Sequence, residues 1–247
     1  AESLANSGAV VTLASTGDAA TVAGFTISSG NTNGAFAVAA GGAVTVADTT
    51  EIDYETATSQ TVVFTITDGS NAVTESVVIT FTDVNDNDPV FTAGATGACS
   101  SAEVVGCGTF AATDGDAGAT QTYSIVAVGT NSASVDHDLF SVASGGVLTF
   151  SSAPNYEAAG CGAGNDANTC TVVIQVTDGA NTDTITITAT VTDLNEATPS
   201  FTAGDTGACS SAEVVGCGTF AATDADGTAT QTYSIVAVGT NSASVDH

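Results

Sequence analysis

The sequence predicts an all-β chain built from β-sandwiches in tandem. Three observations carry this. Val, Ile, Thr, Phe and Tyr dominate the regular stretches, and no Leu-rich helical stripe interrupts them. Short apolar runs alternate with Gly, Asn and Asp turn signals at even spacing, the pattern of a sandwich or barrel. Residues 91–137 and 201–247 align without gaps and differ only at positions 95, 115, 117 and 118. A repeat of this kind marks tandem copies of one structural unit. The divisions that follow are 1–84, 85–194 and 195–247, with the third unit incomplete.

Each predicted strand has a local reason. In the first unit Ala9–Leu13, Thr21–Ile27, Ala35–Ala39 and Ala43–Val46 are short β-prone runs. Thr61–Thr67 is stronger, with Val62, Val63, Phe64 and Ile66. Asp68-Gly69-Ser70-Asn71 turns the chain, and Val73–Phe81 returns. The second unit repeats the order with Gln121–Val128, Leu139–Val142, Val147–Phe150 and Thr171–Thr177. After the Asp178-Gly179-Ala180-Asn181 turn, Thr184-Ile185-Thr186-Ile187-Thr188 alternates strictly, so one face is buried and the other wet. The third unit reaches only the opening strands, up to Gln231–Val238. Its later strands belong either to a longer chain of which 1–247 is a window, or to a neighbouring subunit.

Composition narrows the partners. The chain holds 27 acidic residues and no Lys or Arg. Nothing can neutralise phosphates, so nucleic acid is excluded, and an anionic membrane surface would repel the chain. Cations are the expected partners. No apolar run approaches the length that crosses a membrane. No leader-like segment precedes Ala1, so the sequence reads as a mature chain or a fragment.

Six Cys fall in close pairs: Cys99 and Cys107, Cys161 and Cys170, Cys209 and Cys217. No Cys-x-x-Cys is present, which disfavours zinc, and the even count suits an oxidising, extracellular setting. The stretch from Glu157 to Asp178 is longer than its counterpart from Glu55 to Asp68. The extra residues lie around Cys161–Cys170, and a local disulfide there would tie off the insertion. Local Cys99–Cys107 and Cys209–Cys217 bonds would follow, although four Cys in one unit allow three connectivities. An extended strand would hold Cys99 and Cys107 roughly 26 Å apart, so that pairing needs a bend.

The acids are placed in order. Asp83, Asn85, Asp86, Asn87 and Asp88 precede Pro89-Val90-Phe91. At the same place in the next repeat, Asp193, Asn195 and Glu196 precede Pro199-Ser200-Phe201. Clustered Asp and Asn offer the hard oxygen ligands that Ca²⁺ prefers. Glu2, Glu103 and Glu213 lie in the opening segments. Asp53-Tyr54-Glu55 and Asn155-Tyr156-Glu157 lie mid-unit, and Asp114-Gly115-Asp116 and Asp224-Ala225-Asp226 follow the second strand. Asp68 and Asp178 sit in the Asp-Gly turns.

This ordered set resembles the cadherin extracellular repeat: an early Glu, an Asp-x-Asp, an Asp-x-Glu, a turn Asp, and a linker Asp-x-Asn-Asp-Asn-x-Pro-x-Phe. The resemblance covers essentially the whole chain. It implies Greek-key sandwiches of seven strands joined end to end, with Ca²⁺ at each junction. At the first junction it implies Glu2, Asp53, Glu55, Asp83, Asn85, Asp86, Asn87, Asp114, Asp116 and Asp178 as ligands, with Asn87 acting through its carbonyl. At the second it implies Glu103, Glu157, Asp193, Asn195, Glu196, Asp224 and Asp226. Asn155 and Ala197 depart from the pattern, and Gly17-Asp18 stands where the first unit's Asp-x-Asp should be. The Ala is tolerable if only the carbonyl is used, while Asn155 should weaken calcium at the second junction. With no Trp, the strand exchange of the family's cell-adhesion members does not carry over.

Coulomb's law points the same way. Two unit charges 5 Å apart repel by about 3 kcal/mol at an effective dielectric near 20. Eight carboxylates converging at the first junction require cations, protonation or a splayed junction. Rival motifs fail: an EF-hand from Asp83 would need Gly at position 88, which is Asp. No nucleophile elbow or phosphate loop is present. His137 and His247 are one repeat position and read as surface residues rather than bases. The expectation is a non-enzymatic, calcium-rigidified segment of an extracellular fibre, stalk or appendage, associating with copies of itself or further repeats. The alternative is a calcium-dependent adhesin binding a protein, glycan or surface through Thr rows such as Thr184, Thr186 and Thr188.

Overall fold

The computed structural model describes residues 7–16, 24–94, 96–127, 134–158, 160–162, 167–202, 219–226 and 229–236. The chain forms two compact units. The first takes Ala1–Val90, Ala112–Thr122 and Val176–Asp183, and the second takes the remainder.

In the first unit, β1 (Ala9–Thr12), β2 (Gly24–Ser29), β3 (Phe36–Val38), β4 (Ala43–Val46), β5 (Ser59–Thr67) and β6 (Ala72–Thr80) form two three-stranded sheets, ordered β1-β4-β3 and β2-β5-β6. Consecutive strands β1 and β2 lie in different sheets, as do β4 and β5, which gives the Greek-key crossing. The β3–β4 pairing starts at Phe36 opposite Val46. The β5–β6 hairpin pairs Ser59 with Thr80 and ends with Thr67 opposite Ala72. Its turn is held by Asp68, whose Oδ1 accepts from the N–H of Ser70 at 2.8 Å and of Asn71 at 2.6 Å. Gly69 takes φ +92°, a region that favours glycine. Alternation along β5 sends Val62 and Phe64 inward, where they join Ala35, Phe36, Val44, Val46, Ile52, Ile79 and Phe81 in one apolar core.

Beyond these come β7 (Val90–Phe91), β8 (Thr96–Ser101), β9 (Gly106–Thr109), β10 (Ala112–Thr113), β11 (Thr122–Ile125), β12 (Phe140–Ala143), β13 (Val147–Phe150), β14 (Thr169–Thr177), β15 (Thr182–Val191), β16 (Ser200–Phe201) and β17 (Ala222–Thr223). One sheet is ordered β12-β13-β9 and the other β11-β14-β15-β8. Strand β8 runs parallel to β15, from Thr96 opposite Thr186 to Ser101 opposite Val191. The predicted alternation in β15 holds: Ile185, Ile187 and Ala189 are fully buried. Phe140 and Phe150 stack with centroids 4.4 Å apart.

The expected local disulfides Cys99–Cys107 and Cys161–Cys170 are both formed, with Cα atoms 5.4 and 4.7 Å apart. The bend that the first requires lies between β8 and β9, in different sheets. Glu103 there takes φ +54°, and the Ser101 hydroxyl and Val104 bond each other in both directions. Cys209 and Cys217 lie outside the described residues.

Several boundaries move. The strand expected over Thr21–Ile27 is described as Gly24–Ser29, with residues 21–23 outside the description. Leu139 belongs to a short 3₁₀ turn rather than to β12. In the third repeat, residues 231–236 carry no strand, against the expectation for Gln231–Val238, and residues 237–238 lie outside the description. Among the described residues they lack the partner that β14 gives to β11. His137 is half-buried rather than at the surface as expected, its Nε2 3.1 Å from Asp138 and its Nδ1 3.1 Å from the Ser134 carbonyl. Among the described residues no helix is long and apolar enough to cross a membrane.

Candidate metal centres

The first unit gathers its acids by turns rather than by strands. Asp114 and Asp116 follow β10, and the Asp116 N–H donates to Asp114 Oδ1 at 3.0 Å, which curls the loop and turns both carboxylates the same way. Asp178 opens the turn before β15, its Oδ1 accepting from the N–H of Ala180 and of Asn181, both at 2.7 Å. The segment 83–89 passes between these loops. The Asn87 N–H donates to Asp116 Oδ2 at 3.0 Å and the Asn87 side-chain amide to Oδ1 at 2.8 Å. The Asn181 amide donates to the Asn87 carbonyl at 3.1 Å, and Asn85 to the Asp178 carbonyl at 3.3 Å.

This brings two carboxylate triads together. Glu55, Asp83 and Asp116 each offer an oxygen within 4.8 Å of the others, and so do Asp114, Asp116 and Asp178. Asp116 belongs to both and is 7 % exposed. Its carboxyl lies below the usual carboxylate range, chiefly because the Asn87 amide bonds the charged form. Asp83 Oδ1 is buried with no hydrogen-bond partner.

The second unit repeats the device. Glu103, Glu157 and Glu196 form one triad, and Glu157, Asp193 and Asp226 another, within the same 4.8 Å limit. Glu103 is fixed at both oxygens, by the N–H of Tyr156 at 2.9 Å and of Leu194 at 3.0 Å. Asp226 is 3 % exposed; its Oδ2 accepts from the Ala197 N–H at 3.0 Å, and its Oδ1 is buried without a partner. Loss of hydration first, and then the charges of Asp224 and Asp193, push its carboxyl up. Glu196 is raised by loss of hydration and then by Glu103, Glu157 and Asp226.

The remaining expected ligands make local bonds or adjoin the triads in sequence. Asp53 accepts from the Thr56 N–H at 2.8 Å and the Thr56 hydroxyl at 2.9 Å, which caps its own turn. Asn155 does the same for the Ala158 N–H at 2.6 Å. The exchange of Asp for Asn at this position is thus between two turn caps. Asp86, Asn85, Asn195 and Asp224 flank the triads, with Asp224 accepting from the Asp226 N–H at 3.1 Å. Glu2 and Asp18 lie outside the described residues. Sequence reasoning missed Asn181; its only signal was the recurrence of Asn at the fourth position of both Asp-Gly turns.

The donors suit a hard dication. Every group that converges is an oxygen, the chain has no Lys or Arg to balance the charge, and buried carboxylate oxygens of Asp83 and Asp226 lack partners. A Ca²⁺ ion would satisfy both the geometry and the charge.

No family model matches the sequence, and no curated protein matches it. Solved structures do. The structure of mouse clustered PcdhgC3 EC1-3 aligns with TM-score 0.59 at 24 % identity, over 78 % of this chain and 64 % of that one. Drosophila N-cadherin EC1-4 gives TM-score 0.58 at 19 % identity, over 78 % and 46 %. The extracellular cadherin domains 1–5 of Protocadherin Gamma B2 give TM-score 0.62 at 20 % identity, over 91 % and 44 %. The chain spans less than two thirds of each of these structures. At such identities the likeness establishes the fold, and that fold is the cadherin-like β-sandwich.

Proposed function

We propose that this chain is a calcium-stiffened structural segment of an extracellular fibre, stalk or surface appendage, made of cadherin-like repeats at 1–84, 85–194 and 195–247. The observation that carries the reading is the recurrence of paired carboxylate triads, Glu55/Asp83/Asp116 with Asp114/Asp116/Asp178 and Glu103/Glu157/Glu196 with Glu157/Asp193/Asp226, in a chain with no basic side chain. Asp83 and Asp193 open equivalent linkers in successive repeats. Calcium held by linker and loop acids together would fix each linker against its loops. Asn85, Asn87 and Asn195 would add oxygens, with Glu2 and Asp86 as further donors.

An extracellular setting agrees with the two local disulfides and with a fold shared with ectodomains. The role proposed is structural rather than enzymatic. Electron microscopy of the native material with and without chelator tests the reading. Stiff, ordered polymers that slacken on chelation support it. Monomers that bind a ligand saturably would favour the adhesin.

A further inference from the structure

Asn181 sits on a turn that closes without its side chain. Its N–H donates to Asp178 Oδ1 at 2.7 Å, and its carbonyl accepts from the Thr177 hydroxyl at 2.8 Å. The Thr177 oxygen in turn accepts from the Gly179 N–H at 3.1 Å. The turn at 67–71 is built the same way. The Asn71 N–H donates to Asp68 Oδ1 at 2.6 Å, and the Asn71 carbonyl accepts from the Thr67 hydroxyl at 2.9 Å. There the side-chain amide stays within the turn and donates to Asp68 Oδ2 at 3.2 Å. The Asn181 amide instead reaches the Asn87 carbonyl at 3.1 Å, across a sequence separation of 94.

That contact completes a set of amide ties on the linker. Asn85 Nδ2 donates to the Asp178 carbonyl at 3.3 Å. The Asn87 N–H and side-chain amide donate to the two oxygens of Asp116, at 3.0 and 2.8 Å. The N–H of Asn87 is thus engaged by one loop and its carbonyl by the other. All of these groups lie within the first compact unit.

The same place concentrates negative charge. Asp114, Asp116 and Asp178 offer oxygens within 4.8 Å of one another. Like charges at that range repel, and the repulsion acts against a docked linker until a cation arrives. An ammonium could tie the linker down, but its charge would compete with that cation. A carboxamide donates a hydrogen bond without net charge, so it holds the linker and leaves the field for a dication intact. A carbonyl oxygen has two lone pairs. The bond from Asn181 therefore leaves Asn87 able to act through its carbonyl, as the resemblance implies.

We propose that Asn181 is a positioning residue for calcium, holding the Asn87 carbonyl and its linker in place before the ion arrives. The cost of ordering the linker then falls on folding rather than on binding, which tightens ion binding. The inference rests on the calcium reading proposed above and adds to it. Chelation loosens the carboxylates that only an ion can bridge, while the Asn87 segment stays docked.

The test is amide hydrogen exchange by NMR on residues 1–247 in chelator, followed by calorimetric titration with Ca²⁺. The wild type is compared with Asn181→Ala, Asn181→Asp and Asn71→Ala. Asn181 is half-buried at its turn, and Asn181→Asp keeps its size while removing the donor. Both changes at 181 should speed exchange of the Asn87 N–H about fivefold, the scale of one net hydrogen bond. The Ala180 N–H, which closes the turn onto Asp178 at 2.7 Å, should keep its protection. Asn181→Ala should also weaken Ca²⁺ binding about fivefold. Asn71→Ala should change neither quantity. Unchanged Asn87 exchange in both variants at 181 would overturn the proposal. So would loss of protection at Ala180 together with Asn87, which would make Asn181 a structural part of its turn. A wild type that takes up no calcium would contradict the function proposed above, and this inference with it. A wild type that binds calcium no tighter than Asn181→Ala contradicts this inference alone.

Discussion

Asn87 holds Asp116 twice, through its backbone N–H at 3.0 Å and its side-chain amide at 2.8 Å. At the equivalent place in the next repeat, Ala197 gives Asp226 only the backbone bond, at 3.0 Å. The two equivalent carboxyls shift in opposite directions, Asp116 chiefly through the Asn87 amide and Asp226 chiefly through loss of hydration that no such amide offsets. Asp116 lies below the ordinary carboxylate value, and Asp226 lies above it. In the sequence Ala197 looks harmless, because only the carbonyl of that residue is expected to act. The amide of Asn87 is in use, and its loss leaves Asp226 short of a donor. In chelated protein, Asn87→Ala should raise the Asp116 pKa and Ala197→Asn should lower that of Asp226. Carboxyl-carbon NMR titration measures both.

The same shifts set a pH dependence for the metal-free chain. Asp116, lowered by folding, contributes stability present above its unfolded value and lost as pH falls through its folded value. Asp226 and Glu196, raised by folding, contribute stability present below their unfolded values, near 3.8 and 4.5, and lost as pH rises through their folded values. In chelator, the second cluster should therefore gain stability as pH falls from neutrality toward those raised values, before protonation of Asp116 reverses the trend. Thermal melts in chelator across this range check it, and a melting temperature that falls monotonically from neutral pH contradicts it.

Gly97 sits in β8 where a Cβ would lie 2.6 Å from the Phe110 ring and 2.8 Å from Ile187 Cδ1. Ile187 is fully buried, so the side chain has little room to retreat. Gly97→Ala should cost about 1–3 kcal/mol by overpacking. Denaturant unfolding measures it, and an unchanged midpoint would show that β8 packs less tightly than described.

The Cys161–Cys170 bond closes a loop of sequence separation 9. Loop-entropy arithmetic gives about 2.5 kcal/mol for a closure of that size. The Cys161→Ala/Cys170→Ala double variant should lose about that much stability. Asp136 should limit the damage, since its buried carboxylate accepts from the N–H of Gly162 at 2.7 Å and of Thr171 at 2.6 Å, and so holds both ends of the insertion. Removal of Asp136 in the same background should then cost more than the disulfide did.

Much of this was legible in the chain, for physical reasons. The Asp-Gly turns at 68 and 178 declare themselves, because Asp can accept from the next N–H groups and Gly tolerates a positive φ. Strict alternation over Thr184–Thr188 fixed which face of β15 is buried, and the extra length after Glu157 located a disulfide. The triads followed from acids that recur in the same order from one repeat to the next. Other features were not legible. Asp53 and Asn155 stand at the same motif position, and the motif does not announce the backbone N–H that each caps in its own turn. The parallel pairing of β8 with β15 joins segments far apart in sequence, and no local pattern announces it. Ser134 and Asp136 are buried polar residues whose partners, Val173, Gly162 and Thr171, also lie outside their own local segment.

Calorimetric titration of metal-free 1–247 with Ca²⁺ tests the central claim most directly. Extracellular modules bind this ion with dissociation constants on the order of 10⁻⁴ to 10⁻³ M. The carboxylate triads predict saturable binding at or below that range, a melting temperature that rises with added Ca²⁺, and loss of part of the binding in Asp116→Asn. No saturable heat at millimolar Ca²⁺, together with a melting curve identical in calcium and in chelator, would contradict the account.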